Sequence, residues 1–168
     1  RVETIDLADM TDRLRSIAEV IVAFEAAQVL GDLQSRRPAD ISGELTDLID
    51  AGRAISDADH RDALAAQRDL RRTFADRMQD YDAILTIPAP GVAPEGLGYT
   101  GDARFCTPWT TLGAPAVSLP VGLSRSGLPL GLQLVGRHGG DMALLAAAQT
   151  ILRVVPLFAG APRLETRS

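Results

Sequence analysis

Apolar residues recur along the chain at two spacings, and the change from one to the other falls near residue 82. Before it the period is helical. Over residues 9–30, Leu14, Ile17, Ile21, Phe24 and Gln28 follow an i, i+3, i+4 pattern, and Val20, Ala27 and Leu30 widen the face. This predicts one long helix with Gly31 as its stop. Residues 34–41 read as a polar turn around Pro38. Ser42 is placed to cap a short helix through Ile49, with Gly52 behind it. Ser56 opens a third helix, with Asp59 completing a variant capping box. Ala63, Leu70, Phe74 and Met78 keep one apolar face to about Tyr81, and the other face carries Asp57–Arg61 and Arg72–Asp76 at i, i+4 spacing.

From Ala83 the pattern shortens. The run "AILTI" ends at Pro88 and predicts a buried strand. The turn-rich loop "PAPGVAPEGLGYTGD" follows, then one or two helical turns over 103–112 before Gly113. "AVSL" and "LGLQLV" predict two strands, joined through "LSRSG" as an antiparallel hairpin. Asp141 is placed to cap a last helix whose apolar face is Leu144, Leu145, Ala148, Ile151, Leu152 and Val155. Pro156 ends it, and the tail from Ala159 is expected to be loose. The fold class is α/β: residues 1–81 mainly helical, 82–155 strands plus a closing helix, 156–168 tail. Three strands leave two edges, so this half-sheet is expected to require more protein around it.

Composition narrows the reading. Hydrophobic residues make up 46% of the 168, enough for a core, yet aromatics only 4%, so that core is aliphatic. The net charge of −5 comes without a basic stripe, which argues against nucleic acid as a partner. No apolar run reaches the roughly 18 residues of a bilayer span, and no signal-peptide h-region is seen, so no membrane partner is expected and a cytoplasmic setting is the default. Cys106 is the single cysteine. The chain starts at Arg1 rather than Met, and all 17 of its basic residues are Arg. A lysine base, Schiff base or phosphate-binding lysine is therefore ruled out.

Motifs for chemistry are incomplete. "GLSRSG" has Ser126 where a nucleophile elbow needs its second glycine, and it sits in a hairpin turn. Cys106 has no local motif pairing it with His60 or His138; packing is the plainer reading of a lone cysteine. His60 is expected on the wet face of its helix and His138 in the turn after the last strand; the two histidines lack neighbouring ligands, so no metal site is assigned. "GLGYTG" satisfies Gly-x-Gly-x-x-Gly, but a loop separates it from the strand it should follow, and no second strand carries the acid. The carboxylates lie on helix faces as charge pairs.

The informative stretch is the one richest in both apolar residues and backbone breakers. "YDAILTIPAPGVAP", "FCTPWTTLGAPAVSLPVG" and "SGLPLGLQLVGR", followed by a helix, resemble in order and spacing the C-terminal part of the amidase signature family of serine amide hydrolases. The resemblance covers residues 82–153; the upstream helices are compatible with it. It implies an α/β/α layered fold around a mixed sheet with helices on both faces, of which residues 1–168 would be the C-terminal fragment of a single domain.

The resemblance also implies a reaction. A serine, activated by a second serine hydrogen-bonded to a lysine, attacks a carboxamide, and water releases the acid from the acyl-enzyme. No metal or cofactor is required, and the substrate is a small-molecule amide. The lysine and the Gly/Ser-rich nucleophile loop belong to the family's N-terminal half, so no catalytic residue is expected in this chain and it is expected to be inactive alone. By the same resemblance Phe105, Cys106, Trp109 and Thr110 are the substrate-pocket candidates. Many members carry Asn at the position of Thr110, and one hydroxyl cannot bridge as an amide does. Two alternatives stand beside this reading: a non-catalytic partner or scaffold complementing a separate N-terminal half, and a helical interaction module built on residues 9–81. A homodimer is left open.

Overall fold

The structure is a computed structural model and describes residues 1–154; Val155, Pro156 and the tail lie outside the described residues. The chain divides into two compact units, Arg1–Phe74 and Ala75 onward.

The first unit is helical. Helix α1 (Ala8–Arg36) buries Met10, Leu14, Ala18 and Ile21 on one stripe. Gly31 does not stop it. The helix runs through Gly31 for five more residues, and the Gly31 carbonyl accepts from Ser35 Oγ at 3.0 Å and from Arg53 Nη2 at 3.4 Å. Gln28 is exposed, outside the buried stripe. A short 3-10 turn, Pro38–Asp40, leads to α2 (Gly43–Arg53), capped as expected: Ser42 Oγ accepts from the Leu45 N–H at 3.3 Å.

Gly52 also lies inside its helix, not behind it. A Cβ on Gly52 would fall 1.9 Å from the Ala23 carbonyl oxygen, so this glycine is where α1 and α2 touch backbone to backbone. Gln34 Nε2 and Arg53 Nη1 both donate to Asp50 Oδ1, at 3.3 and 2.8 Å, along the same seam.

Helix α3 (Asp57–Arg77) opens with the capping box in place. Ser56 Oγ accepts from the Asp59 N–H at 3.1 Å, and Asp59 Oδ2 accepts from the Ser56 N–H at 3.4 Å. Ala63, Leu70 and Phe74 are buried on its apolar face. Its charges pair differently from the expected i, i+4 spacing: Arg61 Nε donates to the Asp57 carbonyl oxygen, and Arg72 meets Asp69 at 3.7 Å.

His60 is not on the wet face. Its side chain is only 16% exposed, stacks on Phe24 with ring centroids 4.1 Å apart, and brings Nε2 to 3.5 Å from Glu25 Oε1. The imidazole is flat enough to bury against a phenyl ring, so the packing of α3 against α1 overrides the polarity of the residue.

The second unit is built on a three-stranded sheet in the order β1-β3-β2: β1 (Ile84–Thr86), β2 (Ala116–Leu123) and β3 (Pro129–Val135), antiparallel throughout. The hairpin is the predicted one. Its turn closes through Ser124 N–H to the Leu128 carbonyl at 2.8 Å, with Gly127 at φ 80°. The run read as a buried strand is instead a short edge, with Leu85 and Ile87 exposed. Apolarity alone does not fix burial on both faces when one side of the strand has no neighbour among the described residues. Pro120 lies on the opposite edge strand, where a missing N–H costs no ladder bond to a further strand, and the register breaks between Pro120 and Gly122.

Residues opposite one another in the ladder share a face. Val117, Leu134 and Leu119 lie on one, and Leu144 and Ala148 of α5 (Asp141–Val154) close over Leu119 and Leu134 with Ile151 and Leu152 alongside. Asp141 is the first helical residue; the cap position is Gly140, whose carbonyl accepts from the Leu144 N–H at 2.9 Å. The other face carries Ile84, Val135, Gln133, Ser118 and Gly131.

Candidate functional site

The four pocket candidates lie on or beside α4 (Thr107–Leu112). The local sequence explains this helix. Pro108 fits the first turn, where an N–H has no partner, and Gly113 at φ 66° supplies the left-handed stop that a β-carbon disfavours. The Ala103 carbonyl gathers the segment's start, accepting from the Cys106 and Thr107 N–H groups at 2.8 and 2.9 Å and from Thr107 Oγ1 at 3.1 Å. His138 anchors the other end: its Nδ1 lies 2.8 Å from the Gly113 carbonyl oxygen. It sits in the turn after β3, as expected.

The structure splits the candidates into two pairs, each at i, i+4. Trp109 is 5% exposed and Phe105 half-buried, and both belong to the inward side. Cys106 and Thr110 are exposed on the outward side. Cys106 is therefore not a packed core thiol. Its Sγ–H donates to the Pro88 carbonyl oxygen at 3.2 Å. Thr111, which carried no signal in the sequence, is the buried threonine of this helix and donates from Oγ1 to the Thr107 carbonyl at 2.8 Å.

Beneath α4 lies a residue that sequence reasoning missed. Gln133, on central strand β3, is 4% exposed. We assign the carboxamide with its nitrogen toward two carbonyls, because an oxygen there would face only acceptors; so assigned, Nε2 donates to Ile87 O at 3.2 Å and to Phe105 O at 3.3 Å. The only signal in the sequence was a lone polar residue inside "LGLQLV". Pro88 is seated beside it. A Cβ on Gly131 would come 3.0 Å from Pro88 Cγ and 2.8 Å from Ser118 Oγ, so Gly131 is the recess that admits the proline ring.

Charge at the site is local. Arg104 is ion-paired with Asp102, whose Oδ1 also accepts the Arg104 N–H at 2.8 Å; the hydrogen bond and charge of Asp102 push the guanidinium above its already high ordinary value. Within the second unit the Cys106 thiol is engaged by Pro88 and the His138 ring by Gly113. Among the described residues no group of three or more His, Cys, Asp or Glu converges as a metal site, and no helix is long and apolar enough to cross a membrane.

A hairpin and edge strand covered on one face by a long helix, with a short helix that carries proline in its first turn on the other, define an α/β layer protein. The sequence matches the family model described as Amidase over residues 2–145. The chain belongs to the amidase family. It is 35% identical over 137 residues to a glutamyl-tRNA(Gln) amidotransferase subunit of Granulibacter bethesdensis, covering 73% of this chain and 27% of that protein. A fatty acid amide hydrolase of Medicago truncatula is 28% identical over 134 residues, covering 71% and 22%.

Among solved structures, a crystal structure of an amidase superposes with a TM-score of 0.78 at 26% identity, covering 86% of this chain and 36% of that one. A chain from a vestigial protein complex bearing on the origins of an s-triazine catabolic enzyme gives the same TM-score at 21% identity, which speaks to the fold alone. The chain thus spans about a quarter of the length of the curated relatives it matches.

Proposed function

We propose that residues 1–168 form the C-terminal part of a single amidase domain and one wall of its substrate pocket. The complete site hydrolyses the C–N bond of a small carboxamide. A serine oxygen adds to the carbonyl, the amine or ammonia leaves with a proton, and water then releases the acid and restores the serine. In this reading Phe105 and Trp109 give the wall its shape, while Cys106 and Thr110 face the substrate side. The observation that carries it is the family match over residues 2–145 in a chain that contains no lysine, while the family's serines are activated through one. The nucleophile loop and the lysine are supplied by the part of the fold that this chain does not cover. No metal or cofactor is needed, and the setting is cytoplasmic.

The test is direct. The purified 168-residue chain is exposed to a serine-directed fluorophosphonate and assayed for ammonia release from simple carboxamides. Neither labelling nor turnover is expected, and hydrolysis by this chain alone would sink the proposal. A second reading, a chain that complements a separate N-terminal half, is favoured by the two edges of the sheet, β1 and β2, which have no further strand beside them among the described residues. Co-purification with a lysine-bearing amidase segment, with activity appearing only in the mixture, would select it.

A further inference from the structure

We propose that Gln133 is a positioning residue, a single side chain that clamps the loop 88–104 at both of its stems. The loop leaves β1 after Thr86, through Ile87, and reaches α4 through the turn that holds Phe105. Gln133 Nε2 has two hydrogens, and its two acceptors are the carbonyls of those two residues, at 3.2 and 3.3 Å. A buried carboxamide requires partners, and here the partners are the loop's own ends. A second tie crosses the same stems independently, from Cys106 Sγ to the Pro88 carbonyl at 3.2 Å. Pro88, the first loop residue, is seated in the recess at Gly131.

Beyond these ties the loop turns outward. Gly96 and Gly101 adopt φ of 84° and 105°, and Leu97 and Tyr99 are exposed. A loop whose ends are fixed together while its body is exposed is a closed-base surface loop, the kind that carries recognition in many proteins. Because one nitrogen holds both ends, the loop base and the start of α4 keep a fixed relation. The clamp itself stands on hydrogen bonds within this unit.

The experiment is amide hydrogen exchange by NMR on the full 168-residue chain, comparing wild type with Gln133→Met and Gln133→Leu. Methionine keeps the length and approximate volume of the side chain while removing the donor. Protection of the Cys106 and Thr107 amides and of the β1 amides is expected to fall together, about tenfold, in both variants. The Ser124 and Leu128 amides at the hairpin turn are expected to keep wild-type protection.

Wild-type protection at the stems of Gln133→Met would show that volume alone matters and overturn the clamp. Loosening of only one stem would overturn it as well. Collapse of hairpin protection in both variants would make Gln133 an ordinary core residue and equally refute the proposal. The readout needs no substrate, so failure of the clamp is separable from failure of the amidase reading.

Discussion

Replacing Gly52 by alanine sets two physical effects against each other. Gly52 is interior to α2, where alanine is favoured over glycine by about 1 kcal/mol. Its Cβ, however, would lie 1.9 Å from the Ala23 carbonyl oxygen, 2.5 Å from the Ala23 carbonyl carbon and 2.9 Å from Ala27 Cβ. A carbon–oxygen contact normally closes to about 3.3 Å, so α1 and α2 must part by roughly 1.4 Å at this point. The obstructing atoms are helix backbone and cannot rotate away. Separation also loosens Ile49, fully buried on α2 one turn before Gly52. Overpacking of this kind costs about 3 kcal/mol, the upper part of the usual range.

The net loss for Gly52→Ala is therefore about 2 kcal/mol, a fall in Tm of roughly 8–16 °C for a unit of this size. Gly31→Ala is the internal control. Its Cβ would meet only Arg53 Nη2 at 3.5 Å, an ordinary contact, so helix propensity acts unopposed and the variant gains up to about 1 kcal/mol. Thermal unfolding followed by far-UV circular dichroism reads both. A Gly52→Ala chain as stable as wild type, or a Gly31→Ala chain that falls as far, would refute the reasoning.

Other outcomes follow from single contacts. The Glu44 carboxylate is held below its ordinary pKa by its own backbone N–H and by Ser42 at the start of α2. Its stabilising contribution is present above the ordinary glutamate value and lost as pH falls through the lowered one; carboxylate NMR should show Ser42→Ala moving the Glu44 titration back upward, and an unmoved titration would remove Ser42 as a cause. Arg137 Nη2 donates to the Gln79 and Tyr81 carbonyls at 2.8 and 3.2 Å, tying the turn after α3 to the turn after β3. Arg137→Met should cost about 1 kcal/mol by denaturant unfolding, a value discounted for exposure, with an unchanged m-value.

Much of the fold was legible in the sequence because it is local. The caps at Ser42 and Ser56, the left-handed stop at Gly113 and the hairpin through Gly127 depend on residues within a few positions of one another. The family was legible for the same reason, since "LGAPAVSLPVG" and "GLPLGLQLVG" are contiguous. The candidate site was only half legible. The segment 105–110 could be picked out, but its division into an inward pair, Phe105 and Trp109, and an outward pair, Cys106 and Thr110, depends on which side of α4 meets the sheet.

By itself the sequence determined the helix caps, the hairpin, the order of elements, the family and the absence of lysine; all are properties of neighbouring residues or of composition. Tertiary structure decided the rest. It made Gly31 and Gly52 helix-interior residues, because a glycine gives the same local signal whether it ends a helix or lets another helix approach. It buried His60 against Phe24, left Leu85 and Ile87 of an apolar run exposed at the sheet's edge, and joined Gln133 to two carbonyls that lie on either side of a loop. Each of these depends on what a residue meets across the fold, and no spacing along the chain encodes that partner.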